Sequence, residues 1–276
     1  MGDLIKLTKE ETIEKISLRK NIVEAISLKK KIDIDHVARV AVVMDYSFSM
    51  SNLYTTGVVQ KTLERLLPIA MRFDDNGEME VWIFETSFRR LPNMTLDNVY
   101  GYVDREVMHK GYSMGGTNYA PVIKDIGRKY LSEDRLSGTE GIPTYVIFIT
   151  DGDNMDRLET KQALISISRA PIFFQFVGIG NSRFEFLEEL DEMEGRFVDN
   201  ANFFAIDNIE KEEDEQLYDK LLTEYPTWLT YPEVQPMINN PPYFSELFEN
   251  GKVNEKVNDI EKQEKKRGFF ARLFGL

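Results

Sequence analysis

Short apolar runs, often β-branched, alternate along this chain with longer stretches in which apolar residues recur at helical spacing. Residues 38 to 44, Ala-Arg-Val-Ala-Val-Val-Met, form one such run ending at Asp45, the pattern of a parallel strand buried on both faces. In residues 55 to 73, Val59, Leu63, Leu66, Leu67, Ala70 and Phe73 repeat with a helical period. Pro68 removes one backbone hydrogen bond there and is expected to kink the helix. Asp74-Asp75-Asn76-Gly77 then supplies turn chemistry. The alternation continues with strand 80–84, helices 95–108 and 117–131, strand 144–150, helix 156–169, strand 172–179, helix 183–193 and strand 203–206. Elements of these lengths predict an α/β fold, a doubly wound and mostly parallel sheet covered by helices on both faces.

The flanks read differently. Glu14-Lys-Ile-Ser-Leu-Arg-Lys and Glu24-Ala-Ile-Ser-Leu-Lys-Lys repeat at a spacing of ten residues. Thr8 to Glu11 has the spacing of a helix capping box, whereas the Ile-Ser-Leu units alternate as a strand pair would, and both readings stay open. After Trp228 come Pro232, Pro236, Pro241 and Pro242 and then a charged stretch, the composition of an extended linker. The expected organisation is an N-terminal extension (1–35), a core domain (36–228), a linker (229–264) and a tail (265–276). In the tail, Phe269, Phe270, Leu273, Phe274 and Leu276 lie at helical spacing beside Lys265, Lys266, Arg267 and Arg272. That pattern suits a partner's groove, a membrane surface or the protein's own body.

A chain of 276 residues with 42% hydrophobic content can bury a full core. Its formal charge of -13 disfavours nucleic acid as a partner, because the field of the body repels phosphates. Residues 251 to 276 carry seven Lys or Arg against four Asp or Glu, so the remainder is more acidic still, at -16. Cysteine is absent, which excludes disulfides, thiolate metal sites and thiol redox chemistry. No apolar signal core opens the chain and no run approaches the ~18 apolar residues of a membrane span. A cytoplasmic address is expected, with the tail as the one route to a membrane surface.

Three distant segments can converge on one metal ion: Asp45-Tyr46-Ser47-Phe48-Ser49, Gly115-Gly116-Thr117 and Thr150-Asp151-Gly152-Asp153. They offer two carboxylates and three hydroxyls without nitrogen or sulfur, a donor set for Mg2+, Ca2+ or Mn2+. In a doubly wound sheet, ligands collect at the carboxyl ends of strands near the reversal of strand order, where Asp45 and Asp151 are both expected. Gly115 and Gly116 let a third loop come close, since glycine has no side chain to obstruct it.

These residues resemble the metal-ion-dependent adhesion site of von Willebrand factor A (VWA) domains: Asp-x-Ser-x-Ser after the first strand, a Thr after a glycine-rich loop, and a Thr-Asp-Gly strand end. The resemblance spans residues 36 to 228. Longer strings look like the tellurium-resistance (Ter) branch of bacterial and phage VWA proteins: Leu66 to Asp75, Gly115 to Pro121, Phe148 to Asp153 and Gln175 to Gly180. The resemblance implies that Ser47, Ser49 and Thr117 contact the metal directly and that Asp45 and Asp151 act mostly through water. It also implies metal-dependent binding of a protein ligand that supplies a carboxylate oxygen, in a tellurite, chemical-stress or phage-defence response. Tyr46 and Phe48 depart from the family, which often has smaller residues there; their bulk is expected to shape the rim.

Two other classes compete with this reading. One is a metal-stabilised structural component with no exchangeable ligand. The other is a serine hydrolase, because Gly111-Tyr-Ser113-Met-Gly115 matches a nucleophile elbow, although both His36 and His109 precede Ser113 where that chemistry wants a later histidine. An EF-hand starting at Asp151 fails, with Met155, Asp156 and Gln162 at positions that need an acid or amide, Gly and Glu. Gly178-Ile-Gly180 lacks the third glycine of a dinucleotide loop. Acidic runs such as Glu212-Glu213-Asp214-Glu215 read as solvated helix faces or helix ends. The chain is expected to bind rather than to catalyse.

Overall fold

A computed structural model describes residues 7–134, 141–152 and 154–249. The tail of 265–276 and the preceding stretch from 250 lie outside the described residues.

The strands are β1 (Arg39–Asp45), β2 (Met79–Phe84), β3 (Phe88–Met94), β4 (Thr144–Thr150), β5 (Ile172–Ile179) and β6 (Ala201–Ile206). The helices are α1 (Lys9–Lys29), α2 (Ser51–Thr55), α3 (Val58–Phe73), α4 (Tyr102–Glu106), α5 (Ala120–Arg128), α6 (Arg157–Ile167), α7 (Glu185–Asp191), α8 (Asp214–Leu221), α9 (Tyr225–Trp228), α10 (Val234–Asn239) and α11 (Phe244–Phe248). One six-stranded sheet has the order β3-β2-β1-β4-β5-β6, parallel except for the antiparallel pair β2–β3. This is the doubly wound, mostly parallel sheet expected. Along β1, Val40, Val42 and Met44 join the core under α1, α3 and α8, while Ala41 and Val43 join the opposite core under α5, α6, α7 and α11. Burial on both faces explains the unbroken apolar run.

The sequence reading misses β3. Its residues Phe88-Arg-Arg-Leu-Pro-Asn-Met are buried only at Leu91 and Met94 and include Pro92, a composition confined to an edge strand whose free side needs no backbone donor. The helix expected over 95–108 shrinks to α4 and a following 3-10 turn, with Gly101 entering in the left-handed conformation at φ 65°. The helix expected from 117 begins only at Ala120, which leaves Thr117 in a loop.

The open question at the N-terminus resolves as a helix. Thr8 and Glu11 form the reciprocal capping box, and Thr12, Ile16, Arg19, Val23 and Ile26 bury one face of α1 against α3 and α8. The linker expected from 229 is corrected for its first part. Val234, Met237, Ile238, Phe244 and Leu247 are buried, and α10 and α11 extend the packed body to residue 248. Pro236 sits in the first turn of α10 and Pro241 and Pro242 precede α11, places where a missing N–H costs nothing. Gly127 admits this packing, since a Cβ there would meet Phe248 at 3.2 Å and Ile167 at 3.3 Å.

The acidic run at 212–215 is also more than a solvated face. Asp214 opens α8 and receives Arg19 Nε and Arg65 Nε, each at 2.8 Å. It thereby ties α1, α3 and α8 together.

His36, between α1 and β1, lies against Phe73 and Tyr225, with Nε2 2.9 Å from the Tyr225 hydroxyl. Burial, assisted by the Arg72 guanidinium and opposed by Asp33, lowers its pKa to about 4. Because the unfolded chain binds this proton first, His36 makes the fold lose stability as pH falls from 6.5 toward 4. Urea unfolding at pH 7.5 and pH 5.0 should show the wild type losing roughly 1–2 kcal/mol more than His36→Gln. Equal losses would remove His36 from the acid response.

Candidate metal centre

The crossover point lies between β1 and β4. The chain leaves β1 to form β2 on one side and returns as β4 on the other, in parallel register from Arg39 opposite Thr144 to Met44 opposite Ile149. Continuing that register puts Asp45 beside Thr150, with Asp151 one residue further on. Both carboxylates therefore emerge at the carboxyl edge where strand order reverses.

Asp45 is fully buried. Its Oδ1 accepts the Ser47 backbone N–H at 2.7 Å and its Oδ2 accepts the Thr150 hydroxyl at 2.6 Å. Burial, with a smaller contribution from the Asp151 charge, still raises its pKa to about 6, because those hydrogen bonds offset only part of the lost hydration. From Asp45 the hydroxyls run outward. Ser47 Oγ lies 3.0 Å from Ser49 Oγ, and Ser49 Oγ donates to Asp151 Oδ1 at 2.7 Å. Burial raises the pKa of Asp151 as well, against the Ser49 hydrogen bond. Among the described residues neither carboxylate has a cationic partner.

Thr117 reaches the same loop cluster through its backbone. Ser47 forms a parallel bridge with Gly115, Phe48 N–H donates to Gly115 O at 3.2 Å, and Met155 N–H donates to Thr117 O at 2.8 Å. The loop of residues 115–117 is thus clamped between the Ser47–Ser49 loop and the loop that follows Asp151. Glycine keeps the approach close: a Cβ at Gly115 would lie 2.8 Å from Glu85 Oε2, and one at Gly116 2.9 Å from Met155 Sδ, so either side chain would have to move aside. The structure gathers Asp45, Ser47, Ser49 and Asp151 into one hydrogen-bonded chain and sets Thr117 beside them, its hydroxyl outside that chain.

The supporting residues escape a sequence reading. Tyr54 donates to Asp45 O at 2.9 Å, and Tyr119 donates to Thr150 Oγ1 at 3.2 Å and to Gly152 O at 2.6 Å. Asp156 accepts the Tyr119 and Ala120 N–H groups, both at 2.9 Å, and so staples the start of α5 to the loop before α6. Even Asp156, an acid just before α6, does not cap that helix; the backbone bonds to its carboxylate come from the start of α5. The two bulky residues diverge: Tyr46 is buried, with its hydroxyl on Tyr112 O at 3.2 Å, whereas Phe48 is exposed.

No three His, Cys, Asp or Glu side chains cluster as a metal cage among the described residues, so the oxygens gathered here are two carboxylates and neutral hydroxyls. The donor chemistry fits a metal ion. Two carboxylates lacking cations and two hydroxyls spaced 3.0 Å apart form an oxygen-only set for a hard divalent ion.

A family model described as the vWA found in the TerF C terminus matches residues 37–237, most of the chain. The chain belongs to the TerF-like VWA family. A relative is the uncharacterized protein YcbR of Bacillus subtilis (strain 168), 40% identical over 261 residues, which are 94% of this chain and 98% of that one. Among solved structures, proximal thread matrix protein 1 from the mussel byssus aligns with TM-score 0.52 and 16% identity, covering 70% of this chain and 48% of its own, in a form whose adhesion site holds zinc. A second crystal form aligns with the same TM-score at 15% identity. This chain spans about half the length of that structure, and the likeness is one of fold.

Proposed function

We propose that this VWA domain is a divalent-metal-dependent protein-binding module and not an enzyme. Mg2+, or Ca2+ or Mn2+ in its place, would be held by Ser47, Ser49 and Thr117, with Asp45 and Asp151 behind them. One observation carries the reading: the Asp45-anchored loop and Asp151 are joined by the Ser47–Ser49 hydroxyls at the crossover of a parallel sheet. The zinc-bearing site of the mussel protein supports it by analogy. A bound ion would supply an electrophilic point that accepts one further oxygen, such as a partner's carboxylate. The chain's own residues do the rest. Buried Asp45 fixes the Ser47 backbone, Ser49 and Asp151 hold each other in place, and the hydroxyls contribute no charge, so two carboxylates at most balance a dication.

The TerF-like family supports a place in a tellurite, chemical-stress or phage-defence response, in which this chain assembles other components. Without cysteine it has no thiolate to hold tellurium itself.

Ser113 argues against hydrolysis by its surroundings. It is exposed and follows a 3-10 turn in place of a strand. His36 is bonded to Tyr225, and His109 faces Asp104 at 3.7 Å.

Titration calorimetry with Mg2+, Ca2+ and Mn2+, followed by affinity capture with and without EDTA, tests the proposal. The expected result is saturable binding of one ion per chain and a set of captured proteins released by EDTA. Partners retained under EDTA would favour a metal-stabilised scaffold, and an absence of ion binding would end the metal reading.

A further inference from the structure

The candidate metal centre is flanked by two apolar side chains that the fold leaves in solvent. Phe48 is 71% exposed and Met155 is 77% exposed, the two highest values among the large hydrophobic residues described. Neither stands on a remote surface. Phe48 lies between Ser47 and Ser49, and Met155 closes the loop that begins at Asp151. Their backbones grip residues 115 and 117 of the third loop through the bonds Phe48 N–H to Gly115 O and Met155 N–H to Thr117 O. The Met155 sulfur sits where a Cβ on Gly116 would approach to 2.9 Å, so that side chain lies across the glycine loop. Phe48 and Met155 therefore border the proposed ligands from two of the three contributing loops.

We propose that Phe48 and Met155 are specificity residues that select a carboxylate with an apolar neighbour, so that the partner presents one Asp or Glu beside a Leu, Ile, Phe or Met side chain. This rests on the metal-dependent reading above and adds to it the chemistry of the partner's sequence.

Charge fixes the occupant. Two carboxylates and neutral hydroxyls leave a dication able to attract one more anionic oxygen, while the chain's net charge of -13 repels an acidic stretch at longer range. A single carboxylate in apolar surroundings meets both conditions. Phe48 supplies a rigid aromatic surface, and Met155 a flexible, polarizable thioether that adapts to branched or aromatic neighbours. Burying these side chains against a partner removes apolar area that folding itself leaves wet. A ring exposed in the middle of a Ser-x-Ser motif brings the fold no packing, since Tyr46 on the same segment already fills the interior.

The test uses the full chain, immobilised and panned against a displayed library of short random peptides in Mg2+, with a parallel selection in EDTA. Three proteins are compared: wild type, Phe48→Ala and Met155→Ala. The readout is a ratio within each selection, the frequency of apolar residues within two positions of Asp or Glu relative to the frequency of Asp or Glu itself. A change in metal affinity alone does not move that ratio. The expected result is EDTA-sensitive enrichment of acids with apolar neighbours for wild type, and loss of the neighbour preference in either variant. Individual wild-type peptides should bind each variant about tenfold more weakly. EDTA-sensitive acid enrichment with no neighbour preference, or with a preference the variants keep, overturns this inference and leaves the metal reading standing. No EDTA-sensitive enrichment of acids overturns both.

Discussion

Asp45→Asn is expected to abolish Mg2+-induced stabilisation while leaving the metal-free protein at least as stable as wild type. The two halves of this result have one cause. Asp45 is fully buried at the end of β1 and has no cationic partner among the described residues, so in the absence of metal its charge is a desolvation cost. Asparagine keeps an oxygen for the Ser47 N–H, and the Thr150 hydroxyl can turn to accept from the new amide. A dication loses the charge it is drawn to, and affinity should fall at least ~100-fold, the upper range found for residues that orient ligands. Thermal unfolding in Mg2+ and in EDTA reads both halves. For wild type at a metal concentration of about 100 times Kd, the shift corresponds to roughly 2.7 kcal/mol. An Asn variant that still responds to Mg2+ as wild type does would show that Asp45 takes no part in holding an ion. A variant strongly destabilised in EDTA would mean that the carboxylate is structural.

Asp214→Ala should lower stability by about 2–3 kcal/mol, short of the ~3–5 kcal/mol for breaking a fully buried ion pair because the carboxylate is itself 24% exposed. The reason lies in what is left behind. Arg19 and Arg65 converge on this carboxylate with side chains 10% and 7% exposed, and both lose their anion at once. Arg65 keeps two acceptors, the carbonyls of Ile209 and Glu212, and Tyr218 still donates to the Arg65 carbonyl at 2.7 Å. Those bonds hold the guanidinium in place without balancing its charge. Because Asp214 joins α1 and α3 at the start of α8, the loss should appear as a lower urea midpoint and as faster amide exchange in α1. Both would be absent if the cluster were merely solvated, in which case the cost would stay under about 1 kcal/mol, as for an exposed pair. Since neither of the ion pairs to Asp214 involves a residue of the Asp45–Asp151 cluster, Mg2+ affinity should be unchanged wherever the variant is folded.

The residues that form the candidate centre were readable because chemistry and topology coincide in short strings. Apolar runs ending in Asp45 and in Thr150-Asp151 announce buried parallel strands, and parallel strands bring their carboxyl ends to one edge. The Asp-x-Ser-x-Ser and Gly-Gly-Thr strings add hydroxyls and a close approach that few other sites need. The supports were not readable. Thr150, Tyr54, Tyr119 and Asp156 act through bonds between segments whose relative placement no local pattern records. The burial of Tyr46, expected with Phe48 on the rim, was hidden for a similar reason. Tyr46 and Phe48 are both large and both lie between ligand positions, yet the former goes inward onto Tyr112 and the latter outward.

Where the pattern misled, the error was one of context. Proline after Trp228 signals a break in regular structure, but a proline in the first turn of a short helix breaks nothing, and α10 and α11 bury their apolar faces on the sheet's two sides. Strand β3 has the composition of a loop because an edge strand is wet on one side. The acids of 212–215 resemble solvent-facing charge until folding brings Arg19 and Arg65 from 195 and 149 residues away.

By itself the sequence determined the layered α/β fold and the oxygen-bearing side chains available at the candidate centre, since periodicity and side-chain type are properties of short segments. Tertiary structure alone decided which polar groups share a carboxylate, which prolines begin helices and which aromatic ring meets solvent. Each of those depends on desolvation, and a group's exposure to water is set by every segment packed against it.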